Sequence, residues 1–266
     1  MNIDGKTIAA DILRGVQETL DHEIVVRAVV VAPSPATESY LKVKSNRAKD
    51  AGMRMEIVQL KEDATDADVI AAVQAQGADA VIVQLPLPDH LSTTTILDAI
   101  PLAVDADVLS TTAYDAFVYR KEGKLLPPVV GAVAEILERE GIEVRGKQAV
   151  VLGNGRLVGQ PVAVWLEQQG AEVSVLTKES GDYTKLKVAD LIVSGAGSPH
   201  LIKPDMIKEG VVLIDAGTSE SEGAIVGDAD PVCAPLTRVF TPVPGGVGPI
   251  AVACLFRNVA ALVNQR

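Results

Sequence analysis

The sequence predicts an α/β fold made of two α/β domains. Short Val/Ile-rich runs alternate along the chain with longer stretches in which apolar and polar residues recur with a helical period. Continuous apolar runs of this kind are typical of strands buried on both faces of a parallel sheet. Alternation of such strands with helices implies right-handed crossover connections.

The predicted strands share a core of Val, Ile, Leu and Ala. They cover residues 23–31, 80–84, 148–153, 172–176, 190–194 and 211–215. The predicted helices occupy the stretches between and after them. They cover residues 37–51, 66–76 (with Thr65 as a candidate N-cap), 95–100, 131–140, 158–169, 204–209 and 249–265.

A domain boundary is predicted near the middle of the chain. A helical pattern ends near residue 140, and a new strand then leads into a Gly-rich turn. We therefore expect one domain over residues 1–116 and a second over 117–248, with a C-terminal helix over 249–266 that packs back onto the first domain.

Composition excludes several classes of protein. The chain has 266 residues, of which 48% are hydrophobic and 22% charged, which is too apolar for a disordered chain. A net charge of −11 and an aromatic content of 3% argue against nucleic-acid binding. No apolar run is long enough to span a bilayer, and the first residues do not resemble a signal peptide. Cys233 and Cys254 are expected to be reduced, so we expect a soluble cytoplasmic protein without membrane partners.

The Gly-rich turn predicts a dinucleotide site. Gly153, Gly155 and Gly159 form a G-x-G-x-x-x-G pattern between a strand and a helix, with Pro161 in the first helical turn. Glycines permit close approach of a pyrophosphate, and a helix N-terminus favours its charge. The second domain is therefore predicted to be Rossmann-like, although the same turn could be purely structural.

Three later turns follow strands at the edge where open α/β sheets bind ligands. Lys178 and Glu179 follow one strand, and they point to opposite cofactors, because a carboxylate suits the ribose of NAD and a cation the 2′-phosphate of NADP. Both could equally be solvated loop charges. Residues 194–199, which are small, and Asp215 with Gly217 follow the next two strands.

In the first half, polar residues occur in unusual settings. Tyr40 and Lys44 are four residues apart and share a helix face. Gln84 ends a buried strand, and Asp105 lies in an apolar stretch. Three Pro and three Gly constrain residues 241–249 (TPVPGGVGP).

These segments resemble the bifunctional methylenetetrahydrofolate dehydrogenase/cyclohydrolase family, called FolD. The motifs that carry the resemblance are Y-x-x-x-K at Tyr40–Lys44, VQLPLP at 83–88, the Gly-rich turn through Pro161, the strand end at 213–217, G-D-x-D at 227–230 and TPVPGGVGP at 241–249. The second and last are highly specific and intact, and the motifs cover nearly the whole chain in the family's order.

The resemblance implies a role for each matching residue. Lys44 would be catalytic, Tyr40 would stack on the aminobenzoyl ring and position the lysine, Gln84 would support it, and Asp105 would bind the pterin. The implied folate-binding set also includes Leu85, Pro86, Pro244, Gly245 and Gly246, in a cleft between the two domains. The implied cofactor-binding set is Gly153, Asn154, Gly155, Arg156, Val158, Gly159, Thr177, Lys178, Ala196, Gly197 and Thr218.

The sequence departs from the family at three places. The family's K-D-V-D-G-F becomes residues 102–107 (LAVDAD), so Asp107 rivals Asp105 as the pterin ligand if the register slips. A Thr is missing from the segment at 126–131. Two pairs that commonly serve NADP phosphates are replaced at 154–155 and 177–178, where Lys178 or Arg156 could supply the lost cation.

The resemblance implies oxidation of 5,10-methylenetetrahydrofolate to the methenyl compound with NADP, followed by hydrolysis to 10-formyltetrahydrofolate. It also implies a homodimer and no metal. The alternatives are a member with one activity or with NAD, a shikimate- or amino-acid-type dehydrogenase, and a non-catalytic folate- or nucleotide-binding protein.

Overall fold

The structure is a computed structural model that describes residues 1–121, 125–180, 182–221 and 224–265. Its α-helices alternate with its strands along most of the chain. The helices are α1 (Gly5–Gln17), α2 (Pro35–Asp50), α3 (Asp66–Gln74), α4 (Thr93–Asp98), α5 (Thr111–Val118), α6 (Pro128–Arg139), α7 (Gly159–Gln168) and α8 (Val247–Val263). The strands are β1 (Ile24–Val31), β2 (Met53–Leu60), β3 (Ala80–Val83), β4 (Gln148–Leu152), β5 (Glu172–Leu176), β6 (Leu191–Ser194), β7 (Val211–Asp215), β8 (Ser219–Ser221), β9 (Ala224–Val226) and β10 (Thr237–Phe240).

The chain divides into two compact units. The first, called the C-unit, consists of Met1–Ala9 and Val129–Ala251. The second, called the N-unit, consists of Ala10–Pro128 and Val252–Arg266. The sequence-based division at 116/117 and 248/249 stays a prediction.

The N-unit contains a three-stranded parallel sheet in the order β2-β1-β3. From β1, the chain passes through α2 to β2 on one side, and then through α3 to β3 on the other. The carboxyl ends of β1 and β3 therefore form the point where the strand order reverses, which is where open parallel sheets bind ligands. β1 is fully apolar apart from Arg27, because neighbouring strands flank it on both sides.

The C-unit contains a five-stranded parallel sheet in the order β10-β7-β6-β4-β5. From β4, the chain goes through α7 to β5 at the edge, and then crosses to β6 on the other side of β4. The reversal point of this sheet lies between β4 and β6. Buried aliphatic side chains of these strands, including Val150, Ile192 and Leu213, form the core beneath it.

Most of α8 belongs to the N-unit, although this helix lies near the end of the chain. Asn258 is buried in this helix, and its Nδ2 donates hydrogen bonds to the carbonyl oxygens of Ala106 (2.9 Å) and Leu126 (2.8 Å). The predicted helix over 249–266 corresponds to α8, although residue 266 lies outside the described residues.

The predicted strands are all present, to within two residues at their ends. The helix predicted over 204–209 is wrong, because only a single 3-10 turn forms at Pro204–Met206 before β7 begins. The elements α1, α5, β2, β8, β9 and β10 were not predicted. In the part of the chain that the structure describes, every helix is too short or too polar to cross a bilayer.

Candidate active site

Lys44 is a buried lysine at the reversal point of the N-unit sheet. It lies on α2, directly after β1, and only 6% of its surface is exposed. Its Nζ donates a hydrogen bond to Gln84 Oε1 (3.1 Å) and lies 4.9 Å from the centre of the Tyr40 ring. Burial lowers the pKa of Lys44 below its ordinary value of 10.5, and the negative charge of Asp107 partly opposes this shift.

Gln84 holds the lysine from the neighbouring strand end. It follows β3, and its backbone N–H donates to Val29 O in β1 (2.9 Å). Its Nε2 donates to Leu85 O (2.8 Å), which turns Oε1 toward Lys44. The next peptide bond, Leu85–Pro86, is cis.

Tyr40 presents an exposed ring beside this lysine. It lies one helical turn before Lys44, and 43% of its surface is exposed. The pKa of its hydroxyl is raised to about 12, because packing removes water from it and Asp107 lies nearby. The ring therefore offers a neutral aromatic surface for a flat ligand.

Asp105 has a structural role that was not predicted from the sequence. It is 1% exposed, and its carboxylate accepts hydrogen bonds from the backbone N–H groups of Leu109 (3.1 Å) and Ser110 (2.8 Å). Its backbone also bridges to Val81 of β3. This carboxylate fixes the turn that leads into α5, which leaves it poorly placed for the predicted ligand role.

Asp107 lies close enough to the lysine for its charge to act on it. It is partly buried, and its charge acts on both Tyr40 and Lys44. Burial raises its pKa, and Lys44 and Asp105 act on it in opposite directions. The structure thus brings Tyr40, Lys44, Gln84 and Asp107 together, and we call these four residues the lysine site.

The backbone supports a shifted register for the K-D-V-D-G-F motif. When Asp107 is matched to the motif's second Asp, Asp105 takes the first and Val108 takes the Gly. Val108 has a φ of 57°, in the left-handed region that a glycine adopts freely and a β-branched residue rarely does. The sequence could have given this register, since it matches both Asp residues.

The Gly-rich turn lies at the reversal point of the C-unit sheet. Gly153 follows β4 with a φ of 92°, and a Cβ there would lie 2.5 Å from Gly195 O, after β6. A Cβ on Gly159 would lie 2.1 Å from Gly153 O. Val158, the N-cap residue of α7, makes no side-chain capping hydrogen bond, so the positive end of this helix faces the turn, where it would favour a pyrophosphate.

A cavity of about 280 Å³ adjoins this turn. Five predicted cofactor residues line it: Gly153, Asn154, Thr177, Lys178 and Ala196. The sequence did not single out four other lining residues, which are Leu152, Leu176, Tyr183 and Leu201. Glu179, weighed above as a possible ribose ligand, completes the lining, and the Thr177 hydroxyl and Lys178 keep its pKa low.

The other predicted cofactor residues lie on the turn itself or on neighbouring loops. Gly155, Arg156 and Val158 belong to the turn, Gly197 follows β6, and Thr218 follows β7. A pair of buried carboxylates, Asp215 and Asp228, lies beneath the two loops. Burial and the charge of Asp228 raise the pKa of Asp215 to about 6, against the effect of backbone hydrogen bonds.

Pro244, Gly245 and Gly246 lie in the C-unit, whereas the lysine site lies in the N-unit. Gly245 O accepts a hydrogen bond from the backbone N–H of Gly5 (3.0 Å), and Val243–Pro244 is a cis peptide. A Cβ on Gly246 would lie 2.8 Å from Thr241 Cβ, so this position is closed to larger residues. Pro244, which directly precedes these two glycines, is exposed.

No group of three or more His, Cys, Asp and Glu side chains within the described ranges is placed to hold a metal ion.

Comparisons with known proteins identify the family of this chain. A family model described as tetrahydrofolate dehydrogenase/cyclohydrolase, catalytic domain, matches residues 3–107, and the corresponding NAD(P)-binding domain matches residues 127–266. The chain belongs to the tetrahydrofolate dehydrogenase/cyclohydrolase family. The family assignment confirms the resemblance and leaves the shikimate- or amino-acid-type alternative without support.

Relatives match over nearly the full length. The bifunctional protein FolD of Staphylococcus aureus is 35% identical, over 99% of this chain and 96% of its own. The structure of the bifunctional FolD enzyme of Campylobacter jejuni is 31% identical with a TM-score of 0.95, covering 100% of this chain and 99% of its own. That of the Trypanosoma brucei enzyme, complexed with NADP and an inhibitor, is 28% identical with a TM-score of 0.93, covering 100% and 97%. The chain is thus an enzyme of one-carbon folate metabolism with an NAD(P)-binding domain.

The two aspartates are expected to differ in their effect on stability. Asp105→Asn replaces an oxygen that accepts a backbone hydrogen bond with an NH₂ group, and should lower the free energy of unfolding by about 1–3 kcal/mol. Asp107→Asn removes a desolvated charge and should not lower it. Urea unfolding of both variants at pH 7 measures the difference, and an equal loss in both would contradict the assignment.

Proposed function

We propose that this chain oxidises 5,10-methylenetetrahydrofolate to 5,10-methenyltetrahydrofolate with NADP and then hydrolyses the product to 10-formyltetrahydrofolate. The observation that carries the proposal is the buried Lys44, held by Gln84 beside the exposed Tyr40 ring at the reversal point of a parallel sheet. In a solvated lysine, water would make the contacts that Gln84 and Tyr40 make with Lys44 Nζ.

The hydrolytic step suits a lysine with a lowered pKa. Water adds to the methenyl carbon and loses one proton. The resulting hydroxyl loses a second proton as the carbonyl forms and the bond from that carbon to N5 breaks, and N5 takes up one proton. One proton is released in total. Lys44 Nζ can accept a proton from the attacking water in its neutral form and return one to N5 in its charged form, because burial makes the neutral form accessible. Gln84 keeps the amine aimed in either form, since its Oε1 accepts from Nζ.

The folate is proposed to lie along the lysine site. Tyr40 would stack on the aminobenzoyl ring, with Leu85 and Pro86 beside it. Asp107, rather than Asp105, is proposed to bind the pterin, because Asp105 is occupied by backbone amides whereas Asp107 lies close enough to the lysine for its charge to act on it. A carboxylate accepts hydrogen bonds from the N–H groups of a pterin ring.

The C-unit turn fits a dinucleotide. Glycines 153 and 159 leave no room for side chains, the N-terminus of α7 faces the turn, and the adjoining cavity is lined by the predicted residues. When bound, the dinucleotide supplies the acceptor for the hydride. This chain's residues bind and orient it: Gly153–Gly159 for the pyrophosphate, Thr177 and Lys178 for the adenosine half, and Ala196, Gly197 and Thr218 for the other half.

NADP is proposed as the preferred dinucleotide. Lys178 lines the cavity, and Arg156 lies on the adjoining turn, so the turn and the cavity carry positive charge of the kind that a 2′-phosphate requires. The related T. brucei structure is described as an NADP complex, which supports this choice. The negative charge of Glu179, which lines the same cavity, would repel a 2′-phosphate.

The proposal includes the domain roles. Residues 1–116 with the helix over 249–266 would bind folate and carry the lysine, and residues 117–248 would bind NADP. We further propose a cytoplasmic homodimer that needs no metal.

An absorbance assay with 5,10-methylenetetrahydrofolate and NADP tests the function directly. Methenyl product should form and then decay, which reports the two activities separately. Formation without decay would indicate a dehydrogenase alone. No formation with either NADP or NAD would contradict the proposal.

Lys44→Met should reduce methenyl hydrolysis at least about 100-fold, because the proton-transfer group is lost. Binding of folate and dinucleotide should persist. The matched control is Lys42→Met, which removes an exposed lysine from the same helix and should leave hydrolysis unchanged. Unchanged hydrolysis in Lys44→Met would refute the role of this residue.

Substitutions at 178 and 179 should shift cofactor choice in opposite directions. Lys178→Ala should lower kcat/KM for NADP about tenfold and hardly affect NAD, because only NADP carries the 2′-phosphate. Glu179→Gln should raise kcat/KM for NADP, because a carboxylate near that phosphate is removed. Steady-state kinetics with both dinucleotides give the ratio, and a wild-type preference for NAD that Lys178→Ala leaves unchanged would overturn the NADP assignment.

A further inference from the structure

Asp215 and Asp228 form a buried carboxylate pair that the proposed chemistry does not use. They are 1% and 0% exposed; Asp215 is the last residue of β7, and Asp228 follows β9, in the C-unit. Two ionisable groups so deeply buried are costly unless their oxygens are well satisfied. Their hydrogen bonds therefore indicate what they do.

Asp228 holds the loop after β6. Its Oδ2 accepts hydrogen bonds from Ser194 Oγ (2.6 Å) and from the backbone N–H of Ala196 (2.7 Å). Its Oδ1 accepts from the backbone N–H of Ser198 (2.7 Å). One carboxylate thus fixes three successive points of the loop that carries Ala196 and Gly197.

Asp215 fixes the loop after β7 and also the segment that contains Asp228. Its Oδ1 accepts from the backbone N–H of Gly217 (2.9 Å), and its Oδ2 accepts from that of Ala229 (2.7 Å). Its own backbone N–H donates to Thr241 Oγ1 (2.6 Å). The turn that leads to Thr218 is therefore fixed from the same place.

Two glycines make this arrangement sterically possible. A Cβ on Gly217 would lie 2.2 Å from Asp228 Cγ, and a Cβ on Gly227 would lie 2.1 Å from Asp215 Oδ2. Each carboxylate lies against the backbone beside its partner aspartate. Any side chain at either glycine would displace a carboxylate.

We propose that the Asp215–Asp228 pair positions the two loops that carry Ala196, Gly197 and Thr218 for the nicotinamide half of the dinucleotide. The inference rests on the proposed function, because that function assigns these three residues to the cofactor. Asp215 and Asp228 are positioning residues that act through backbone amides and not by touching the cofactor.

Asp228→Asn tests the proposal. An amide cannot accept all three hydrogen bonds, because its NH₂ group would face an N–H or O–H donor. We expect the KM for dinucleotide to rise about 10- to 100-fold, with a smaller change in kcat at saturating dinucleotide. The matched control is Asp190→Asn, whose carboxylate also accepts from a backbone N–H (Gln148, 3.0 Å) but at the opposite end of the sheet. It should change the KM less than about twofold.

Gly217→Ala provides a second variant that keeps both carboxylates. The new Cβ should push the Asp228 carboxylate away from the loop and raise the KM in the same manner. Gly15→Ala, where a Cβ would meet no atom within 4 Å, is its control. If Asp228→Asn fails to fold, Gly217→Ala decides the outcome.

Hydrogen exchange separates this inference from the proposed function. The amides of Ala196 and Ser198 should exchange at least about tenfold faster in Asp228→Asn and in Gly217→Ala than in the wild type, whatever the wild type binds. Unchanged exchange and an unchanged KM would overturn the proposal. Wild-type protein that binds neither NADP nor NAD would overturn the proposed function, while the exchange result would still test the loop contacts.

Discussion

The burial of the Lys44 ammonium is the constraint on which the proposed chemistry depends. Removing an ammonium from water costs several kcal/mol, even in a real protein interior. A hydrogen bond to a charged group offsets about 1.5–3 kcal/mol, and an aromatic ring beneath the charge about 0.5–2 kcal/mol. Gln84 and Tyr40 therefore hold the amine without fully compensating its charge, in agreement with its lowered pKa. The negative charge of Asp107 partly opposes this lowering of the Lys44 pKa.

One topological rule places both sites. In each unit, the connection after a central parallel strand leads to a neighbouring strand on one side, and a later connection leads to the strand on the other side. The carboxyl ends of two adjacent strands therefore lead to loops on opposite sides, which creates a ligand-binding point between them. Lys44 and Gln84 follow β1 and β3 at the first such point, and the Gly-rich turn and the Ala196 loop follow β4 and β6 at the second. In the proposed function, the N-unit contributes a lysine, and the C-unit contributes a helix N-terminus and small residues.

Much of this could be predicted from the sequence, and the failures have physical causes. Five of the six predicted strands, β1, β3, β4, β6 and β7, are buried in their sheets, where both faces require apolar residues. β2 was missed because it is an edge strand with Arg54, Glu56 and Gln59 exposed or partly exposed, so no continuous apolar run marks it. α1 carried a signal in Ile8, Ile12 and Val16, which recur every four residues. Lys44 and Gln84 lie together at the reversal point of the N-unit sheet, and the Gly-rich turn lies at that of the C-unit sheet, whereas the roles implied for them stay predictions. Residue type alone did not decide between Asp105 and Asp107, although the register that matches both Asp residues of the motif favours Asp107. The hydrogen bonds of the loop show that the Asp105 carboxylate is already used.

The titration of Lys44 Nζ tests the central claim most directly. Heteronuclear NMR of lysine-labelled protein, with the signal assigned by its loss in Lys44→Met, gives the midpoint. We expect a midpoint below 10.5 in the wild type and a lower one still in Asp107→Asn, because the opposing charge of Asp107 is then removed. A wild-type midpoint at or above 10.5 would show that the ammonium is stabilised rather than desolvated, and would contradict the account.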